Sequence, residues 1–486
     1  MTTELLHHVL DDRATHTPGL PAITLDDEQF SYGGLHDASY RLAVWLRRIG
    51  VPRGGRVVIT RPNPALIYAA SRAGAVFCVV HEQVTGAALE HVLDDAEPSL
   101  LVTDDQADLA VRRGIRVATT EEVAAAATHE RLAPVPAPEP GDLVSLIYTS
   151  GSTSRPKAVV STHEQTVFAA RAINARLRYR MDDVVYVPLS LAFDYGLYQL
   201  FLGALGGSHV WLGSSSDTGP ALLRSLERSG ATVLPALPAL AEALAWLLSR
   251  RRTSAVPSLR LLTNTGAAMP QETLTMLRQA IPGLRVQLMY GLTECKRVSI
   301  MPADEDLRRP GSCGIPLPGT QVVVVDESGV PLPPGHVGEF VVHGRNVMAG
   351  YWRRPELTRE RFPRPGVLRT GDFGWKDSDG YLYVEGRRDD VYKERGFRVS
   401  ATEIEAAAHG VDGVRQAAVV PPRDDHEAVL FVVGEVTAES VVDGLRRGIE
   451  PYKIPRRCLV VDEIPLNHNG KVDKKALVTL LGRRTV

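Results

Sequence analysis

Short apolar runs alternate with amphipathic stretches along most of the chain, the pattern left by parallel strands and the helices that connect them. Val184–Pro188, His209–Leu212, Leu259–Thr263 and Arg285–Tyr290 read as strands, and Pro220–Ser229 and Leu237–Ser249 as helices between them. The fold class expected is therefore α/β with largely parallel sheets. Ala124–Pro140, rich in Ala and Pro, reads as a surface connection. From Thr320 the pattern turns strand-rich, with TQVVVVD, GEFVVHG and YLYVEGR separated by Gly/Pro turns, as in a small β-rich subdomain. The charged, turn-prone run Arg387–Asp390 then marks a border, giving a large domain of residues 1–388 and a small α+β domain of 389–486. In that tail Thr402–His409, Ser440–Gly448 and Lys471–Leu481 are expected as helices, and Val414–Val420 and Ala428–Val433 as strands.

Composition narrows the partners. With 55 Lys+Arg against 57 Asp+Glu the formal net charge is -2, which gives no support to nucleic acid or an anionic membrane as partner. No run approaches the ~18 apolar residues of a membrane span, and the N-terminus lacks a secretory pattern. Cys78, Cys295, Cys313 and Cys458 lie far apart, without metal-ligand spacing, as suits a reducing compartment. A cytoplasmic protein is the expectation.

The chemistry starts at LIYTSGSTSRPKAVVST, where a strand breaks into a loop of hydroxyls and glycine that ends in a lysine. Thr149, Ser150, Ser152 and Thr153, with backbone N–H groups freed by Gly151, can surround phosphoryl oxygens while Lys157 supplies a point charge. The loop is not G-x-x-x-x-G-K-[ST], so the usual kinase and ATPase inference does not follow. Further motifs follow in order: Phe193-Asp194, Tyr290-Gly291-Leu292-Thr293-Glu294, Arg369-Thr370-Gly371-Asp372, Gly386 to Asp390, and Asn469-Gly470-Lys471.

The ordered set, spanning almost the whole chain, resembles the adenylate-forming superfamily of acyl-CoA synthetases, non-ribosomal peptide synthetase adenylation domains and luciferases. That resemblance implies ATP and Mg2+ as cofactors and activation of a small carboxylic acid to an acyl-adenylate. Pyrophosphate is released, and the acyl group passes to a carrier protein's phosphopantetheine or to coenzyme A. It implies that Tyr290 lies against adenine, that Gly291 belongs to the same nucleotide site, that Thr293 meets the α-phosphate, and that Glu294 holds the magnesium. Asp372, in a tight turn, would accept from both ribose hydroxyls, and Arg387, at a strand end, would donate to the same sugar or to phosphate. Lys471 resembles the lysine that promotes adenylation, Asp389 the hinge, and Lys393, Gly396 and Arg398 the segment facing the thiol. Asp194 matches the carboxylate that receives a substrate ammonium, with Tyr195, Tyr198, Val233, Thr263, Thr265, Met289, Arg297 and Val298 as neighbours of the acyl chain. Arg297 could instead pair with Asp194 itself, or bind a second polar group. The expected acid is a small amino or aromatic acid. Ser154 and Ala158 depart from the family pattern by replacing glycines, which keeps open a non-catalytic nucleotide-binding partner; a synthetase that delivers the acyl group to an amine is the other rival.

Overall fold

A computed structural model describes residues 4–149, 156–214, 217–250, 256, 258–387, 391–394, 397–423, 426–466 and 472–483. Two compact units divide the chain: Met1–Val322 with Val342–Arg369, and Val323–Val341 with Thr370–Val486.

In the first unit, a nine-stranded sheet has Arg285–Tyr290, Leu261–Asn264, Val233–Ala236, Val184–Val187, His209–Leu212 and Pro21–Leu25 as successive neighbours. These neighbours run parallel. Glu28–Ser31 adds an antiparallel edge at one side, and Ser299–Ile300 with Ile315–Pro316 at the other. The expected strands recur with boundaries moved by at most two residues, and the helices Gly219–Ser229 and Pro238–Ser249 lie where the apolar periodicity put them. Their inward positions explain this. Leu222, Leu226, Leu244 and Leu248 pack with Leu234, Leu262 and Val286 of the strands in one dry cluster, each at most 3% exposed.

A second sheet of this unit, seven-stranded, runs Gly350–Tyr351, Lys157–Thr162, Leu143–Thr149, Val76–Val79, Arg56–Ile59, Leu100–Val102 and Arg116–Ala118. Its first three strands are antiparallel neighbours and the rest parallel. The expectation of a surface connection over Ala124–Pro140 needs correction at its start, because Thr120–His129 is a helix. Thr119 and Glu122 form a reciprocal capping box there, and the alanines that follow are good helix formers.

The second unit holds most of a four-stranded sheet ordered Thr320–Val325, Gly338–Gly344, Val367–Lys376, Leu382–Arg387. It also holds the hairpin Val391–Glu394/Phe397–Ser400 and a three-stranded sheet of Val414–Val420, Val429–Gly434 and Arg457–Val460. The central strand is apolar on both faces. Leu430 and Val432 meet Ile404, Val441 and Leu445 of two helices, while Val429, Phe431 and Val433 meet Leu477 and Leu481 of a third. Among the described residues, no helix is long and apolar enough to cross a membrane.

Candidate active site

Thr149 and Lys157 are register partners on two antiparallel strands, and the hydroxyl-rich segment lies between them in sequence. Ser150, Gly151, Ser152, Thr153 and Ser154 lie outside the described residues. Thr149 Oγ1 donates to the Lys157 carbonyl at 3.4 Å. Ala158 is a fully buried strand residue paired with Tyr148 and is not among the residues of positive φ. A methyl group in place of the glycine therefore adds no backbone strain.

Lys157 points at two groups from distant parts of the sequence. Its Nζ lies 3.9 Å from Glu294 Oε1 and 3.9 Å from the centroid of the Tyr351 ring. Tyr351 in turn donates its hydroxyl to Glu294 Oε1 at 2.6 Å. Both ion-pair partners are largely buried, with side-chain exposures of 15% and 12%. A buried carboxylate beside a lysine ammonium fits a hard divalent cation that takes oxygen ligands and shares them with phosphate.

Five residues past Tyr290 the chain makes a tight turn at 295–297, closed by an Arg297 N–H donating to the Cys295 carbonyl at 2.8 Å. Lys296 at its apex has φ 63°, left-handed and rare for a residue with a long side chain. Asn346, fully buried, clamps the turn by donating to the carbonyls of Cys295 and Arg297 at 3.2 and 2.9 Å. The Lys296 side chain is thereby thrown inward, 1% exposed, and among the described residues its ammonium finds no hydrogen-bond partner. Burial pulls its pKa down to about 8, against the pull of Asp194 and Glu294 the other way.

Asp194 opens the helix Asp194–Gly206, and Arg297 donates to its Oδ2 at 3.1 Å. The Arg297 guanidinium also covers the Tyr195 ring at 4.8 Å, and the Tyr195 hydroxyl bonds Thr263 Oγ1 at 2.8 Å. Lys296 Nζ stands 5.7 Å from the centre of the Tyr198 ring. Asp194, Tyr195, Tyr198, Thr263, Lys296 and Arg297 thus form one neighbourhood at the carboxyl ends of the parallel strands, where α/β sheets carry their ligands.

Thr265 is buried just past the Leu261–Asn264 strand, and Met289 and Tyr290 end theirs, paired with Ile300 and Ser299. The buried Val298 donates to the Tyr290 carbonyl at 2.8 Å. Gly291 is needed where it stands, since a Cβ would lie 2.4 Å from the Lys296 carbonyl oxygen. Thr293 is half-buried beside Glu294. Val233 is a correction: it begins the strand whose other end, Ala236, is the backbone partner of Tyr195. Three residues of strand rise, about 10 Å, separate it from that end. It is buried instead between Val185 and Leu261.

In the second unit Asp372 is not in a tight turn but within the strand Val367–Lys376, another correction. It is the register partner of Arg387, whose Nε lies 3.3 Å from its Oδ1. Gly371 supplies a left-handed kink, φ 69°, and its N–H donates to Glu339 Oε1 at 3.1 Å. Lys393 and Arg398 are register partners in the two-stranded hairpin, described in backbone only. Asp389, Gly396 and Lys471 lie outside the described residues. Sequence reasoning missed Lys296, Asn346 and Tyr351. A lysine two places past Glu294 was the visible signal for the first, while the other two are joined to the site only through nonlocal pairing.

Residues 10–352 match the family model described as AMP-binding enzyme, and residues 403–471 match that of the AMP-binding enzyme C-terminal domain. Over 481 residues the chain is 33% identical to a feruloyl-CoA synthase from Amycolatopsis sp, spanning 95% of this chain and 96% of that protein. The structure of VinN with L-aspartate is 39% identical, with a TM-score of 0.73 over 79% of this chain and 98% of that one. ATP-bound MatB from Rhodopseudomonas palustris is 28% identical and superposes with a TM-score of 0.89 over 99% of both chains.

Proposed function

The chain belongs to the AMP-binding enzyme family and is an AMP-forming acid–thiol ligase that uses ATP to make an acyl-adenylate; from this premise we propose that its acid is a small amino acid bearing a second carboxylate. The charge set around Asp194 carries this reading. One carboxylate stands among two cations, Arg297 paired to it and Lys296 without a hydrogen-bond partner among the described residues. Its net charge of about +1 suits a substrate with one ammonium and two carboxylates. The ammonium goes to Asp194, and the carboxylate that does not react goes to Lys296 and Arg297. VinN, solved with L-aspartate, supports the class.

In this reading the hydroxyls of residues 149–153 and Lys157 receive the β- and γ-phosphates, Tyr290 faces adenine with Gly291 beside it in the nucleotide site, and Asp372 with Arg387 meets the ribose. Glu294 would hold Mg2+, which when bound neutralises charge on the departing pyrophosphate. Thr293 donates to the α-phosphate. A substrate carboxylate oxygen attacks the α-phosphorus and pyrophosphate leaves, with Lys471 meeting the charge that develops. The thiol sulfur then attacks the acyl carbon, AMP departs, and the thiol proton passes to solvent. Asp389 is the hinge of a small domain beginning there, and Lys393, Gly396 and Arg398 face the incoming phosphopantetheine of a carrier protein or of coenzyme A. The free Cys78, Cys295, Cys313 and Cys458 fit a reducing, cytoplasmic setting.

Pyrophosphate release with L-aspartate, β-alanine, succinate and benzoate tests the acid. The amino diacid should lead by about 100-fold in kcat/KM, and Arg297→Met should erase most of that lead. Benzoate or succinate serving equally well would overturn the assignment. Mass analysis with each thiol then names the acceptor.

A further inference from the structure

Gly350–Tyr351 is a two-residue strand laid against the strand that Lys157 begins, with Tyr351 opposite Val159. Positions 157 and 159 share a face, so the phenol comes diagonally beside the lysine stem. A second tie, the Met348 N–H donating to the Glu294 carbonyl at 2.8 Å, brings the same segment against the carboxylate. The ring is 5% exposed and is braced edge-on by Phe362, with centroids 5.4 Å apart.

We propose that Tyr351 is a positioning residue for adenylation, holding Lys157 on its ring face and Glu294 by its hydroxyl, ready for phosphate and for a divalent cation. The proposal rests on the roles given above to Lys157 and Glu294. Lys157 and Glu294 balance each other's charge 3.9 Å apart, and they must separate when one meets phosphate and the other metal. A neutral group that touches both keeps each aimed as the pair opens. The ring face attracts the ammonium by its quadrupole. The hydroxyl fixes one carboxylate oxygen, as the outer partners of metal ligands do. Burial and the neighbouring Glu294 push the phenol far above its ordinary pKa, so it remains a donor.

Calorimetric binding of α,β-methylene-ATP, which cannot release pyrophosphate, separates the two contacts. In EDTA, Tyr351→Phe should bind the analogue like the parent protein, while Tyr351→Leu should bind about 3- to 10-fold more weakly. On titration with Mg2+, Tyr351→Phe should need about tenfold more cation for half its effect on binding. An unchanged Mg2+ midpoint in Tyr351→Phe overturns the proposal, and a thermal melt checks that the variant, which keeps the ring, keeps the fold. Glu294→Gln separates the two levels of argument. If it leaves the Mg2+ midpoint unmoved, the reading of Glu294 falls; if it moves the midpoint while Tyr351→Phe does not, only the role of Tyr351 falls.

Discussion

Lys296 concentrates the conflict between stability and use in one side chain. A left-handed lysine whose ammonium is buried without a hydrogen bond costs free energy on both counts. Lys296→Met should therefore stabilise the fold, by about 1–3 kcal/mol at pH 7. The pH dependence has a definite sign. The folded-state pKa of about 8 lies below the ordinary 10.5, so between those values the unfolded chain binds more protons and stability rises with pH. The variant's advantage should then shrink from pH 8 toward pH 10.5, as read from thermal melts across that range. Binding of an anionic substrate has the opposite dependence, because it needs the charged amine. With an amino diacid, kcat/KM should fall as pH rises through about 8, and the methionine variant should lack that limb. The same falling limb in both proteins would remove Lys296 from the substrate's company.

Elements were the most legible level wherever local pattern and packing agreed. The parallel strands and the helices Gly219–Ser229 and Pro238–Ser249 repeat the apolar periodicity because the same leucines that set the period fill the core. Failures came where the deciding contact is nonlocal. Arg369 to Asp372 has turn-like residues, yet pairing with Leu382–Arg387 draws them into a strand that keeps only a kink at Gly371. Val233 lies one strand-length from Ala236, the residue that meets Tyr195, a distance that only the folded sheet reveals. Gly350 shows what such nonlocal positions demand. Its φ of 127° suits glycine alone, and a Cβ there would lie 2.5 Å from Thr358 Cγ2. Gly350→Ala should cost about 2 kcal/mol or more in urea unfolding and shift Tyr351 off Lys157, lowering pyrophosphate release. Full activity with parental stability would show that this edge strand tolerates rearrangement.

At the scale of the whole molecule, the order of the motifs carried the family assignment, because a two-step reaction needs groups that no single segment contains. The sequence does not announce that Val323–Val341 joins Thr370–Val486 in one compact unit, since that depends on Gly338–Gly344 lying beside Val367–Lys376 across the intervening segment. The division of labour between the steps can still be tested. Lys471 is proposed to act where negative charge builds on the α-phosphate, and thiol attack on a finished acyl-adenylate has no such demand. Lys471→Ala should lower substrate-dependent pyrophosphate release by about 10²- to 10³-fold while ATP binding persists, the loss expected for one charge-stabilising group. Given a synthetic acyl-adenylate of the same acid, the variant should still load the thiol at close to the parental rate. Equal loss in both half-reactions would mean that Lys471 serves the fold or the adenylate's binding, and the cation for adenylation would then have to be sought among the residues around Glu294.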